Sequence, residues 1–246
     1  MTGAALDLVD LGRRPYLDVL ELQREVRLAR INGAIDHDIL LLVEHDPVYT
    51  LGRGTLASSL PIPVDVLRAR GADVVEIERG GDVTWHGPGQ LVGYPIFHLS
   101  QHREDLHWYL RAVEQALINA LAALGLPGDR IPGKTGVWTR GRKIASIGIH
   151  VKQWVTLHGF ALNIEPDLSW FEAIVPCGID GVVMTSVQRE LHLIAPGGTP
   201  LAVRARQAVV SSFCDTFSLT LGTLSAENLV ERLATAPGSR RPSPHD

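Results

Sequence analysis

Apolar residues follow two rhythms along this chain, helical spacings of three and four and short unbroken runs, and the rhythm changes at glycine and proline. A run around Leu6 to Leu11 predicts a first strand. Pro15 then stands where a helix can begin, Val19, Leu22, Val26 and Ala29 recur at helical spacing, and Gly33 is a stop. Ile39 to Val43 is strand-like, and Glu44 to Gly54 after it is polar, aromatic and loop-rich. Val74 to Glu78 reads as a short strand entering Arg79 to Gln90, where so much glycine and proline means a shaped loop. Leu91 to Leu99 reads as the strand leaving that loop, and Pro95 within it suggests an edge or an irregularity. The clearest helix follows: Leu106, Leu110, Val113, Leu117, Ala120, Leu121 and Leu124 line one face, with Asp105 as cap and Gly125 as stop. Gly136 to Thr139, Lys143 to His150 and Val155 to Asn163 are the next strands, the first two flanking the hairpin turn Arg140-Gly141-Arg142. Val203, Gln207, Val210, Cys214 and Phe217 predict a late helix, and Ser225 caps a short one after it.

Strands grouped in hairpins, without regular strand-helix alternation, predict an α+β fold with helices packed against a mixed sheet. No internal repeat or linker divides the chain, so residues 1–235 are expected to form one domain. Residues 236–246 have too little apolar surface to fold and are expected to be a disordered polar tail.

Composition narrows the classes. The 246 residues are 45% hydrophobic, enough for an ordinary core, yet no apolar run approaches the ~18 residues of a membrane span. The first residues lack a basic start followed by an apolar core and a small-residue cleavage site, which predicts a cytoplasmic protein. A net charge of −4 argues against nucleic acid and against membrane surfaces as partners. The two cysteines, Cys177 and Cys214, form no CxxC pair and no disulfide framework, and no histidine has metal-ligand spacing, so no metal is expected.

Three features could carry chemistry. Val175-Pro176-Cys177-Gly178-Ile179 sets a thiol in a tight, exposed backbone that suits a nucleophile, although a packed loop cysteine has the same look. Cys214, on an apolar helix face, reads as a small core residue. A catalytic thiol requires a neighbouring base or positive charge. Lysines are three of the 23 basic residues, and Lys143 lies where a turn meets an apolar strand; desolvated there it could accept protons, and solvated it would be an ordinary strand-end cation. Lys134 and Lys152 read as solvated, while His86 and His158 could line a pocket, orient a substrate or serve as the base instead of Lys143. The Arg79 to Gln90 loop matches neither a Walker A sequence nor GxGxxG; its amides could cradle phosphate or polarise an acyl carbonyl, with Trp85 as apolar wall.

Taken in order, Glu44 to Arg53, Arg79 to Gln90, Gly141 to Gly148, His158 to Asn163, and Val175 to Ile179 followed by Thr185-Ser186 closely resemble the octanoyltransferases of lipoate biosynthesis. The resemblance implies the α+β fold shared by biotin and lipoate protein ligase catalytic domains. It also implies Cys177 as acyl-accepting nucleophile and Lys143 as its general base. The acyl pocket would be lined by Arg79, Gly80, Gly81, Asp82, Val83, Thr84, Trp85 and His86, by Ser146, Ile147 and Gly148, and by Gly159, Phe160 and Ala161. The implied donor is octanoyl-acyl carrier protein, and the implied acceptors are apo lipoyl domains of 2-oxoacid dehydrogenase E2 subunits and the glycine cleavage H protein. No cofactor is implied, and a monomer is expected. Arg53, Arg140, Arg142 and Lys152 could form a basic docking surface for these acidic partners. Three other classes keep some of these features: an ATP-dependent lipoate ligase, a cysteine-histidine thioesterase or amidase, and a non-catalytic lipoyl-domain binding module.

Overall fold

The run Ile39 to Val43 lies at the centre of the molecule and divides its side chains between two cores. Leu40 and Leu42 pack into one, and Ile39, Leu41 and Val43 into the other. A strand apolar on both faces must be covered on both, and this one is. The computed structural model describes residues 4–175, 181–192 and 199–235. The proposed tail and Cys177 lie outside them. In chain order the elements are β1 (Ala5–Arg14), α1 (Tyr16–Ile31), β2 (Asp38–His45), β3 (Val48–Leu51), α2 (Val64–Ala69), β4 (Asp73–Glu76), β5 (Thr84–His86), β6 (Gln90–Ile96), α3 (Leu106–Ala123), β7 (Asp129–Ile131), β8 (Lys134–Thr139), β9 (Arg142–Lys152), β10 (Val155–Asn163), α4 (Val187–Leu191), α5 (Leu201–Phe217), β11 (Thr220–Thr223) and α6 (Ala226–Thr235).

The main sheet is mixed and runs β11-β1-β2-β6-β10-β9-β8-β7. Its β11-β1-β2 side is parallel and the remainder antiparallel. Helices α3 and α5 cover one face, and α1 and α6 the other. A smaller sheet, β4-β3-β5, closes a third apolar cluster around Tyr49, Trp85 and Phe171. This is the expected α+β class. Among the described residues no helix is long and apolar enough to cross a membrane.

Several local expectations hold in atomic detail. The Asp105 side chain caps α3 by accepting from Trp108 N at 3.0 Å, and Ser225 Oγ accepts from Asn228 N at 3.1 Å ahead of α6. Arg140 and Gly141 both have positive φ, 49° and 77°, which makes the β8-β9 hairpin a two-residue turn of the kind whose twist matches its strands.

Others are corrected. Glu44 to Gly54 contains the end of β2 and all of β3, and the Arg79 to Gln90 loop contains β5, paired with β3 through His86 opposite Val48. Pro95 lies on a central strand, between β2 and β10, so of the two expected alternatives it marks an irregularity and not an edge. It is tolerated because the β6-β10 pairing stops at Gly93, and the Thr156 hydroxyl then accepts from Phe97 N (2.8 Å) and donates to Pro95 O (2.7 Å). The buried face of α5 holds the expected Val210 and Phe217 but is wider and shifted at its start: Leu201, Ala205, Val209 and Phe213 also point inward, while Val203 and Gln207 are exposed. Cys214 is half-buried at the margin of that core, and burial pushes its thiol pKa up.

Candidate active site

A narrow cavity of about 240 Å³ opens where β9, β10 and β6 meet the start of α1 and the loop before β5. Pocket formation begins with small residues. Ser146 pairs with Ala161 and Gly148 with Gly159 across β9 and β10, leaving room above the sheet. Val92 and Tyr94, two apart on β6, form one side. The loop makes the other side, and its shape is held from outside: Arg53 N donates to Arg79 O and Gly54 N to Gly81 O, each at 3.0 Å, while Gly80 N donates to Ile149 O at 3.0 Å. Arg79 is buried, and its guanidinium donates to Thr50 O at 2.7 Å and to Thr50 Oγ1 at 3.0 Å. Asp82 accepts from Ser59 Oγ and from its neighbour Val83 N.

Of the expected pocket residues, the cavity is lined by Arg79, Gly81, Asp82, Val83, Thr84 and His86, by Ser146, Ile147 and Gly148, and by Gly159, Phe160 and Ala161. Lys143 lines it too. Gly80 and Trp85 do not. Gly80 ties the loop to β9, and strand alternation sends Thr84 and His86 toward the cavity and Trp85 away, where it stacks on Trp170 with ring centroids 5.8 Å apart. Tyr16, Val92, Tyr94, Lys134 and Thr135 line the cavity without having been expected to. Lys134 is half-buried there, which corrects its reading as solvated; Lys152 is exposed. The alternation of Val92 and Tyr94 was visible in the sequence, but nothing local announced Tyr16, whose place depends on the packing of α1.

Lys143 is 2% exposed, so the solvated strand-end reading fails. Its Nζ lies 5.2 Å from the centre of the Trp138 ring and donates to Thr135 O at 3.4 Å. Its backbone is held on both sides by the segment that follows residues 176–180: Lys143 N donates to Val183 O and Thr185 N donates to Lys143 O, both at 2.9 Å. Gly136 makes room for the side chain. A Cβ there would stand 2.9 Å from Lys143 Cε and 2.7 Å from Ala145 O, and its φ is 135°.

Two buried carboxylates brace this corner. Glu114 of α3 accepts from Arg130 Nε at 2.9 Å, Arg111 Nη1 at 2.6 Å and Gly136 N at 3.2 Å. Glu190 of α4 accepts from both Arg142 nitrogens at 2.8 Å and from Thr185 Oγ1 at 2.5 Å, with Arg140 at 3.3 Å. Burial pushes the Glu190 pKa up, but these hydrogen bonds outweigh it and leave the pKa lowered. Arg140 and Arg142 pair with Glu190 and help hold the hairpin; Arg140, Arg53 and Lys152 are exposed and Arg142 is half-buried. Glu114 had a sequence signal, since it shares the apolar stripe of Leu110, Leu117 and Leu121 at helical spacing.

A hydrogen-bonded chain joins the cavity wall to Lys143. His86 Nδ1 donates to Gln90 Oε1 (2.7 Å), Gln90 Nε2 to Asn163 Oδ1 (2.9 Å), and Asn163 Nδ2 to Thr185 O (2.9 Å). His86 is the Nδ1–H tautomer, because the Gln90 nitrogen is already committed to Asn163. Burial, followed by the nearby His45, lowers the His86 pKa to about 3, so it is neutral at physiological pH. His158 is likewise kept neutral, burial outweighing the attraction of Glu78 3.8 Å away. Among the described residues no cluster of three or more His, Cys, Asp or Glu side chains is set to hold a metal.

Residues 15–213 match the model of the lipoyl protein ligase A/B catalytic domain. The octanoyltransferase of Synechococcus elongatus is 48% identical over 229 residues, covering 93% of this chain and 94% of that protein. That of Gloeobacter violaceus is 46% identical over 94% of this chain and 97% of its own, and that of Rubrobacter xylanophilus 52% over 76% and 85%. Among solved structures, the bipartite lipoate protein ligase of Thermoplasma acidophilum superposes with a TM-score of 0.71 at 18% identity, over 94% of this chain and 91% of that one. A lipoate-protein ligase A bound with ATP gives 0.68 at 18%, over 95% and 93%. These two likenesses establish the fold.

Proposed function

The chain belongs to the lipoyl protein ligase A/B catalytic-domain family, and from that premise we propose that it is an acyltransferase carrying octanoyl groups from octanoyl-acyl carrier protein to a lysine of apo lipoyl domains. Those domains are the ones of 2-oxoacid dehydrogenase E2 subunits and the glycine cleavage H protein, in the cytoplasm. The observation that carries the reading is a buried lysine at one end of a narrow, small-residue channel, braced by the segment that follows Cys177 in the chain.

In this reading Lys143 takes the proton of the Cys177 thiol, the thiolate attacks the donor thioester, and loop amides steady the oxyanion. The carrier leaves as its thiol. The acceptor lysine then attacks the Cys177 acyl-thioester, Lys143 assists its deprotonation, and an amide forms as the thiol is released. Thioester to amide runs downhill, so no nucleotide is consumed. His86, whose pKa burial lowers to about 3, accepts protons too weakly to suit the base of a thioesterase and reads better as a wall residue.

Incubation with octanoyl-acyl carrier protein, without ATP, should give a single octanoyl adduct by intact mass, and an apo lipoyl domain should discharge it. Cys177→Ala should form none, and Lys143→Ala should load on the order of 10²-fold more slowly or worse. An undiminished adduct on Cys177→Ala would overturn the nucleophile. Loading at the wild-type rate by Lys143→Ala would overturn the base.

A further inference from the structure

Strand register orders the cavity. From Lys143 it passes the pair Ser146 and Ala161, then the facing glycines Gly148 and Gly159, and next reaches the row of His158. Up to the glycines the floor is small and largely apolar. Tyr94 stands level with Gly159 by register, and with Tyr16 and His158 it adds three rings with polar atoms to the wall.

His158 is the unusual member. Its φ of 62° breaks the alternation that would otherwise send its ring to the same side as Phe160, which packs on Phe213 in the core beneath. The residue is 2% exposed, and its N–H donates to Gln23 Oε1 at 3.1 Å. Yet neither ring nitrogen of His158, nor the amide nitrogen of Gln23, has a hydrogen-bond partner among the described residues; the Glu78 carboxylate stands 3.8 Å from Nε2, beyond hydrogen-bond length. A buried imidazole must find water or a polar ligand, and a terminal methyl group supplies neither. Tyr16, which lines the same cavity, is stacked on His86 with centroids 5.9 Å apart.

We propose that His158, backed by Tyr16, is the end stop of the acyl channel and the residue that sets the length of acyl chain the enzyme accepts. A chain that ends short of His158 leaves the ring its water. A longer chain displaces that water and sets a methyl group against an unmatched donor and acceptor, so each further methylene is penalised where it would otherwise gain by burial. The proposal rests on the acyl-channel reading above and adds the residue that limits it.

The test compares acylation of the full chain by hexanoyl, octanoyl, decanoyl and dodecanoyl thioesters of pantetheine. His158→Gly suits the left-handed backbone and removes the ring, and Tyr16→Leu opens the same end from α1. In each, the dodecanoyl-to-octanoyl ratio of kcat/KM should rise, by about tenfold in His158→Gly if roughly two of the four added methylenes gain ordinary burial. A purely structural histidine would lower all four rates together and leave the ratio alone. Acylation with an unchanged ratio in whichever of the two variants folds overturns the end stop and leaves the acyl channel standing. Absence of acylation of the wild type by every chain overturns both.

Discussion

At the scale of single residues, the site depends on room as much as on reactive groups. Gly136 lets Lys143 lie flat against β8, and a methyl group there meets both the lysine stem and Ala145 O at distances that side chains do not tolerate. Gly136→Ala is expected to cost about 1–3 kcal/mol of stability, as overpacking does, and to slow acylation further by displacing the amine. Equal thermal midpoints and equal loading rates for the variant and the wild type would remove Gly136 from the account. Lys143 itself was visible as a lysine at a turn-strand junction, but its burial was not, because that depends on Val183 to Thr185 returning to its backbone from forty residues away in sequence. The Trp85 wall was misread for a related reason. A glycine-rich loop has no alternation to read until β3 pairs with it and turns Thr84 and His86 inward.

At the scale of elements, hairpins and capped helices were the legible part, since Asp105, Ser225 and Arg140-Gly141 act through bonds to near neighbours. The errors were tertiary. Pro95 sits in a central strand because a threonine hydroxyl from β10 replaces the missing ladder bond, and the start of α5 turns Leu201 and Ala205 inward in place of Val203, while Phe213 stacks on Phe160. The β8-β9 turn is also pinned from a distance. Glu190, with its side chain wholly buried, ties Arg142 and Thr185 together, so α4, the turn and the Lys143 strand move as one. Glu190→Ala should cost roughly 1–3 kcal/mol, since it leaves the buried Thr185 hydroxyl without its partner and releases Arg142 from the hairpin. Urea midpoints measure the loss; a change below about 0.5 kcal/mol, typical of surface sites, would show the latch to be idle.

At the scale of the whole molecule, three buried histidines tie stability to acidity. Burial lowers His45 to about 4 and His86 and His158 to about 3, whereas each titrates near ~6.5 in the unfolded chain. Between those values the unfolded state binds protons that the folded state refuses, so stability rises with pH across that window and is fully present above it. The slope is at most about 1.4 kcal/mol per pH unit for each histidine. Urea midpoints should therefore fall from pH 7 to pH 5, and by less in His86→Gln; a flat profile would contradict the assigned neutral states. The sheet has one further consequence, for the order of events during synthesis. Ala5 to Leu8 of β1 pair with Thr220 to Thr223 of β11, so β1 leaves the ribosome long before its outer neighbour has been made. Until then one edge of β1 presents unpaired amides and carbonyls to whatever strand is nearby. Nascent chains stalled before residue 220 should expose that edge and self-associate, and chains released just beyond it should not.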